Sequence, residues 1–304
     1  MTLGAALAAL TSARWRRGAA AARLERTVKP CIHCGGEEAY VVPTRVVPDF
    51  DPAKLEPALR RAFLMKQNGY CVICGLYQDF NRLGPEHLKA LNALGKDALT
   101  SETAYAAYPP PAEHVAAFNA RHFGRRLERW NAFFAVERPN IASALFLRVW
   151  FGAAPRFVAD RFGAATAGLD MSAVCLRYTQ EALPQFTALD GDINGVLDGP
   201  FLATGPYDAV FTFHILNHSC DITAALRQIR NLLRPGGFAL FSNEIERKPA
   251  NPFHNIHPSE VQFVALLREV FARIERIDDC EDGFVPHASP FTVKHDIPDI
   301  VAWA

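Results

Sequence analysis

The sequence predicts an α/β fold in which a mainly parallel sheet carries helices on both faces, preceded by a small cysteine-rich module. From Ile141 onward, short apolar runs alternate with segments of helical periodicity, a pattern typical of doubly buried strands joined by crossover helices. Nearer the N-terminus, two C-x-x-C-G motifs indicate a metal-binding module. A chain of 304 residues that is 50% hydrophobic and 21% charged has enough apolar side chains for a packed core.

Residues 1–28 are rich in alanine and arginine and carry a net positive charge. The first thirty residues contain five more basic than acidic side chains, although the whole chain has a formal net charge of zero. We predict a basic surface helix that runs to about Thr27, and the same composition also fits an amphipathic transit peptide.

The charge balance and the hydropathy limit the partners that we expect. A neutral chain argues against extended nucleic-acid binding, which needs a basic surface. The most apolar stretch, 141–159, is interrupted by Arg148 and Arg156, so we expect no membrane span and a cytoplasmic protein.

Residues 29–82 contain the two motifs, CIHCG and CVICG, and predict a structural zinc site. In each motif the glycine permits a tight turn whose amides point at sulfur, and two such turns supply the tetrahedral four-sulfur shell that Zn²⁺ prefers. The alternatives are a redox dithiol and a disulfide pair. We expect His33, inside the first motif, not to bind the metal. The predicted ligands are Cys31, Cys34, Cys71 and Cys74.

Residues 83–140 form a predicted helical connector that the Pro109-Pro110-Pro111 run divides in two. Helical spacing resumes at Glu113 and continues to Phe134 with many arginine and aromatic side chains. We expect an amphipathic helix packed on the sheet, and the alternative is that this segment closes one side of a ligand site.

Residues 141–304 contain the predicted sheet. The predicted helices are 155–162, 172–183, 222–233 and 258–271, and Ser259 with Gln262 forms a capping box near the start of the last one. The apolar runs that we interpret as strands are 144–150, 165–169, 186–189, 209–213, 238–241, 272–277 and 300–303.

A ligand in such a sheet binds at the carboxyl ends of the strands, where the strand order reverses. Gly152 follows the first predicted strand in a turn of small residues, and Asp170 ends the second strand. A carboxylate at that position can accept hydrogen bonds from a ribose diol.

Three segments of this block resemble class I S-adenosylmethionine-dependent methyltransferases. They are FGAATAGLDMS at 162–172, YDAVFTFHILNH at 207–218 and LLRPGGFALFSNE at 232–244. The cysteine module resembles the zinc-binding N-terminal domain of bacterial sugar C-methyltransferases. The resemblance implies a Rossmann-like sheet of seven strands with one antiparallel strand, and S-adenosyl-L-methionine as the cofactor.

The resemblance also implies the residues that would hold this cofactor. Asp170 would bind the ribose and Met171 would lie against the adenine, with Asp192 and Ile193 at the adenine edge. Phe213 and His214 would approach the methionine moiety, and Gly152 is the glycine that remains from the family's glycine-rich loop.

The first loop departs from the family pattern of an acidic residue followed by clustered glycines. Arg148 stands where the acid is expected, and Trp150 stands where the first glycine is expected. Because the glycines let the backbone approach the cofactor, the bulky Trp150 would fill part of that space.

His214 and His218 are the candidate catalytic residues, since a base must remove the acceptor's proton during methyl transfer. They lie four residues apart beyond the fourth strand and share a face if that turn is helical. The alternative is that they cap the strand end. A polar loop, 243–257, follows the fifth strand, and its candidate substrate contacts are Glu244, Asn251, His254 and His257.

The predicted function is therefore a methyltransferase that acts on a small-molecule or saccharide-like acceptor. The alternative is a non-catalytic, zinc-containing binding or scaffold protein with a degenerate methyltransferase fold. A nicotinamide dehydrogenase is disfavoured because the chain lacks the G-x-G-x-x-G turn.

Overall fold

A computed structural model describes residues 23–27, 29–41, 53, 55–65, 67–84, 87, 108–189, 193, 205–242, 244–245, 254–277 and 299–304. The helices are α1 (Pro57–Leu64), α2 (Ala112–Glu137), α3 (Ala153–Phe162), α4 (Ala173–Ala182), α5 (Ile222–Leu232) and α6 (Glu260–Arg268). The strands are β1 (Arg23–Arg26), β2 (Glu38–Val41), β3 (Asn68–Cys71), β4 (Tyr77–Asp79), β5 (Ser143–Leu147), β6 (Ala165–Leu169), β7 (Thr187–Ala188), β8 (Tyr207–Phe213), β9 (Leu233–Ser242), β10 (Arg273–Ile277) and β11 (Asp299–Trp303).

The N-terminal module is a four-stranded antiparallel sheet in the order β1-β2-β3-β4. The predicted basic helix is wrong for Arg23–Arg26, which forms β1 and pairs with β2. Because β2 presents an open edge, pairing its backbone groups outweighs the helix propensity of this short segment. The earlier part of the predicted helix, 1–22, lies outside the described residues.

The larger sheet has seven strands in the order β10-β11-β9-β8-β5-β6-β7. Only β11 runs antiparallel to both of its neighbours, so the expectation of one antiparallel strand in a seven-stranded Rossmann-like sheet is confirmed. The chain leaves β5 towards β6 and β7 and then returns to β8 on the other side. The switch point therefore lies between the carboxyl ends of β5 and β8.

Two apolar layers cover the sheet, as its doubly buried strands require. On one face, α2 and α3 pack on the strands through residues such as Trp130, Phe134 and Val158. On the other face lie the apolar side chains of α5 and α6, including Leu226 and Phe263. The first strand ends at Leu147, earlier than predicted, because Arg148 leaves the extended region with a φ of 79°.

The connector helix α2 is bound to the sheet through a buried carboxylate. Asp299, at the start of β11, accepts hydrogen bonds from Trp130 Nε1 (2.8 Å) and Ser242 Oγ (2.6 Å). Arg126 Nε lies 3.3 Å from the same carboxylate and Arg129 Nη2 lies 3.6 Å from it. The arginine and aromatic side chains of this helix therefore fix it on the sheet, in agreement with the packed-helix prediction.

The cysteine module joins the larger sheet through segment 254–257. Asp79 N donates to the carbonyl of Asn255 (2.9 Å), and His257 N donates to the carbonyl of Tyr77 (3.1 Å). Asn255 N in turn donates to the carbonyl of Asn217 (2.7 Å) in the turn after β8. This segment therefore links β4 to the turn at the carboxyl end of β8.

Candidate functional site

The two C-x-x-C-G motifs fold into equivalent turns. In the first, Gly35 N donates to the carbonyl of Cys31, and in the second Gly75 N donates to the carbonyl of Cys71, both at 2.9 Å. Both glycines have a φ of 73°, a left-handed conformation in which other L-residues are strained. The repeated glycine is therefore required by the turn, as predicted.

The four sulfur atoms converge between these turns. The ligand atoms of Cys31, Cys34, Cys71 and Cys74 all lie within 4.8 Å of one another, the only such group among the residues that the structure describes. The Sγ–Sγ distances are 3.6 Å for Cys31–Cys74 and 3.5 Å for Cys34–Cys71. Sulfurs bound to one tetrahedral Zn²⁺ would be about 3.8 Å apart. The arrangement fits a metal shell, and the four thiols are free rather than disulfide-bonded.

Hydrogen bonds around Cys31 favour its thiolate form. The Cys74 thiol lowers the pKa of Cys31 to about 4, and the Cys34 and His33 amides and Gln78 act in the same direction, against the effect of burial. Gln78 Nε2 lies 2.8 Å from Cys31 Sγ, and its Oε1 accepts from Ile32 N at 2.9 Å. Such a hydrogen-bond partner orients a metal ligand.

His33 does not join the sulfur group. Its Nε2 lies 3.4 Å from Glu269 Oε1, just beyond the end of α6. A metal bound by four cysteine sulfurs would have a closed shell, which is typical of a structural rather than a catalytic metal.

At the switch point, the loop after β5 crosses towards β8. Arg148 is buried, with 3% of its surface exposed, and its Nη1 donates to the carbonyl of His214 at 2.5 Å. Its guanidinium lies 3.8 Å from the centre of the Trp150 ring. Arg148, Trp150 and His214 all have positive φ, at 79°, 51° and 49°. Side-chain contacts therefore hold this edge in a conformation that L-residues seldom adopt.

Asp170 lies at the predicted position, directly after β6, but its carboxylate already accepts three backbone hydrogen bonds. Oδ2 accepts from Val149 N (3.0 Å) and Trp150 N (2.8 Å), and Oδ1 accepts from Ser172 N (2.8 Å). Burial raises the pKa of Asp170, and the positive charge of Arg148 and these amides offset only part of that rise. The carboxylate that we predict to bind ribose thus also fixes the first loop.

The structure describes four of the remaining predicted cofactor residues. Gly152 caps α3 with a φ of 77°, and a Cβ there would lie 3.1 Å from Thr179. Ile193 and Phe213 are each 2% exposed, and the Phe213 ring packs on Phe123 with centroids 5.4 Å apart. Met171 is half-buried beyond β6. Asp192 lies outside the described residues, as does the candidate substrate contact Asn251.

Glu244 holds the turn after β8, and its buried carboxylate binds the backbone of that turn rather than facing a substrate. Its Oε2 accepts from Ile215 N (3.1 Å) and Leu216 N (3.0 Å). Burial raises the pKa of Glu244 to about 7, against the lowering effects of those amides, Thr212 and Arg148. Glu244 therefore holds in place the turn that carries the two candidate catalytic histidines.

Four imidazoles gather beside this turn, those of the candidate residues His214, His218, His254 and His257. The His254 ring lies 4.6 Å from that of His214, 4.8 Å from that of His218 and 5.8 Å from that of His257. His214 is half-buried, whereas His218 and His254 are 5% and 1% exposed. His214 therefore offers the ring most accessible to a bound molecule.

Sequence reasoning missed two features of this site. Tyr77, from the cysteine module, packs on His257 with ring centroids 5.3 Å apart, so the module borders the histidine group. Asp299 lies at the same edge of the sheet because β11 is antiparallel and begins there. The sequence shows neither, since both contacts join residues that are far apart in the chain.

Residues 151–237 match the family model described as a methyltransferase domain. This segment contains Asp170 and both candidate catalytic histidines, and it is less than half of the chain. A curated relative, the ubiquinone biosynthesis O-methyltransferase of Xanthomonas oryzae pv. oryzae, is 32% identical over 91 residues. That alignment covers 30% of this chain and 38% of the relative, so the similarity extends over little more than a third of its length.

Solved methyltransferase structures are similar to this chain at low sequence identity. SAM-bound CalS10, an amino pentose methyltransferase from Micromonospora echinaspora, is 16% identical with a TM-score of 0.45, covering 65% of this chain and 98% of that one. A chain of the Haloferax volcanii complex between the Trm112 methyltransferase activator and a methyltransferase is 21% identical with a TM-score of 0.43, covering 62% of this chain and 95% of that one. Within the described residues, none of the helices is long and apolar enough to cross a membrane.

Proposed function

We propose that this chain, which contains the methyltransferase domain matched at 151–237, transfers a methyl group from S-adenosyl-L-methionine to a small-molecule or saccharide-like acceptor. The observation that carries the proposal is the position of Asp170 and His214 at the carboxyl ends of β6 and β8, on either side of β5. This is the edge where a ligand of such a sheet binds.

The residues at this edge suit the cofactor in chemical type. Asp170 supplies a carboxylate for the ribose hydroxyls, and Met171 and Ile193 supply apolar surface for the adenine. Asp192, Phe213 and His214 complete the proposed set, and Gly152 begins α3 beside it. When bound, the cofactor supplies an electrophilic methyl group, so catalysis depends mainly on the position of the acceptor and on removal of its proton.

The histidine group is the proposed acceptor side. We assign the catalytic role to His214 and His218, one of whose ring nitrogens accepts the proton that leaves the acceptor. His214 is the more accessible of the two, and the His254 ring contacts both. The amides of Ile215 and Leu216 bind Glu244, which keeps the turn between the two histidines in place.

The cysteine module is proposed to bind one structural Zn²⁺ through Cys31, Cys34, Cys71 and Cys74. The sulfur separations support this donor set. Because β4 pairs with 254–257, the module also supports the histidine group from outside the domain.

A second candidate function is a non-catalytic, zinc-containing binding or scaffold protein. The observation that favours it is the carboxylate of Asp170, which the loop amides already bind. Under this alternative the first loop stays closed and the cofactor does not bind.

Calorimetry with S-adenosylmethionine on the zinc-loaded full chain distinguishes the two. We expect binding of one molecule per chain, and we expect Asp170→Ala to weaken it at least about tenfold because the ribose acceptor is lost. Asp160→Ala, at an exposed position on α3, is the matched control and should bind as the unmodified chain does. Absence of binding by the folded protein would favour the scaffold function, and unchanged binding in Asp170→Ala would refute the assignment of this residue.

Catalytic roles are tested by transfer of a radiolabelled methyl group to a panel of sugars, nucleotide sugars and phenols. We expect His214→Ala and His218→Ala to lower kcat about 10²-fold or more, and we expect His218→Ala, which lies outside the proposed cofactor set, to keep cofactor affinity. Full activity in both variants would show that neither histidine is the base.

A further inference from the structure

The loop after β5 carries side chains that hold it in place from two directions. On one side of the Trp150 indole, the Arg148 guanidinium lies 3.8 Å from the ring centre. The Phe118 ring of α2 also contacts the indole, with centroids 4.9 Å apart. Trp150 is thus bound both to its own loop and to the helix that covers the edge of the sheet.

Arg148 extends this connection across the switch point. Its Nη1 donates to the carbonyl of His214, the residue that follows β8. Its positive charge also lowers the pKa of Asp170 and of Glu244, the acids that follow β6 and β9, against the larger effect of burial. One buried cation therefore joins the ends of four neighbouring strands.

The same loop conformation brings the amides of Val149 and Trp150 to Asp170. A carboxylate has about four acceptor positions, and three are taken by Val149, Trp150 and Ser172. One position remains, whereas a ribose diol donates two hydrogen bonds. The diol can be bound in full only if at least one loop amide leaves.

We propose that Arg148 and Trp150 form a latch that keeps loop 148–152 bound to Asp170, and that the cofactor binds only after this loop is released. The inference rests on the proposed function and adds its regulation. The apparent affinity is then the affinity of the open form multiplied by the fraction of molecules in which the loop is open. Trp150 makes the ring contacts to both Arg148 and Phe118, so its substitution should release the loop.

The test is calorimetry with S-adenosylhomocysteine on the full zinc-loaded chain and on Trp150→Gly. Glycine adopts the positive φ of this position freely and removes the contacts to Arg148 and Phe118. We expect the variant to bind at least about tenfold more tightly than the unmodified chain. Trp150→Asn is the second variant, because asparagine tolerates the same backbone conformation and keeps the fold testable if the glycine loosens it.

Arg273→Gln is the matched control for Arg148→Gln. The Arg273 guanidinium is also stacked on a tryptophan, 4.1 Å from the centre of the Trp303 ring, and it lies away from the switch point. We expect Arg148→Gln to tighten binding and Arg273→Gln to leave it unchanged.

A second readout does not depend on catalysis. Amide hydrogen exchange should show protection of Val149 and Trp150 in the ligand-free chain, with at least about tenfold faster exchange in Asp170→Ala and in Trp150→Gly. Unprotected amides in the ligand-free chain would show that the latch does not form.

The outcomes separate the latch from the proposed function. Equal affinity in the unmodified chain and both Trp150 variants would overturn the latch and leave the methyltransferase proposal intact. Weaker binding in the variants would show that Trp150 contacts the ligand rather than blocking it. If neither the unmodified chain nor any variant binds S-adenosylhomocysteine, the proposed function itself fails, and the latch fails with it.

Discussion

In the cysteine module, four sulfur atoms lie close to one another, whereas at the carboxyl edge of the large sheet three of the described acids are bound by groups of the protein itself. Asp170 and Glu244 accept amides of the adjoining loops, and Asp299 accepts Trp130 and Ser242. The sulfurs thus form a donor set that could hold a metal ion. The carboxylates already have partners.

This difference sets how each region responds to a ligand. A metal ion adds bonds to the cysteine module, so its binding free energy stabilises the fold. Under the proposed latch, a ligand at the carboxyl edge replaces a hydrogen bond that the loop already makes, so its affinity is the difference between the two sets.

Combined Cys31→Ser and Cys71→Ser substitution should remove the metal and unfold the N-terminal module. Structural zinc contributes on the order of 10 kcal/mol to the folding of such small modules, which have little apolar core of their own. Metal analysis should fall from about one zinc per chain to none, with loss of amide protection in β2–β4. Cys220→Ser is the matched control and should keep its metal, and zinc retained by the double variant would refute the site.

Asp299→Ala should destabilise the fold by about 3–5 kcal/mol, because it leaves the cations of Arg126 and Arg129 beside a buried gap. Urea denaturation measures this loss. The control is Glu137→Ala, which removes a partly exposed acid that pairs with Arg273, and it should cost less than about 1 kcal/mol. A similar effect of both substitutions would show that Asp299 does not fix α2 to the sheet.

Glu244→Gln should remove part of the pH dependence of stability. The folded-state pKa is raised to about 7 from the ordinary 4.5, so the folded chain binds more protons than the unfolded chain between these values. Its contribution is greatest below pH 4.5 and is lost as pH rises through 7, on the order of 3 kcal/mol.

Urea titrations at pH 5 and pH 8 measure this dependence. We expect the unmodified chain to lose more stability over this interval than Glu244→Gln, whose neutral amide can still accept from the Ile215 and Leu216 amides. Glu260→Gln, in a partly exposed pair with Arg276, is the control and should keep the pH slope. An unchanged slope in Glu244→Gln would contradict the shifted pKa.

The same glycine-to-alanine substitution should have opposite effects at two positions. Gly35 has a φ of 73°, and a β-carbon added there would meet no atom within 4 Å, so Gly35→Ala should cost about 1–2 kcal/mol through backbone strain alone. Gly124 lies in α2 with similar open space, and Gly124→Ala should stabilise by about 0.5–1 kcal/mol. Thermal denaturation of the metal-loaded chain compares the two, and a neutral Gly35→Ala would show that the turn tolerates a side chain.

Local chemistry explains what the sequence predicted correctly. The turn of each C-x-x-C-G motif lies within a few residues, and the seven apolar runs indicate burial on both faces of the sheet, so the cysteine turns and the strands can be predicted without the fold. The predicted basic helix is wrong at β1 because that segment pairs with the edge of β2.

The sequence by itself determined the seven strands, the paired cysteine turns and the placement of Asp170 and His214 after strands, because each depends on neighbours along the chain. Only the tertiary structure decided that Arg148 reaches the His214 carbonyl, that Asp170 binds the loop before it, and that α2 is fixed to Asp299. These contacts join residues 20 or more positions apart, and their partners are selected by which strand ends become neighbours in the sheet. Hydrogen bonding of buried polar groups is required everywhere, but only the completed fold determines which group supplies each bond.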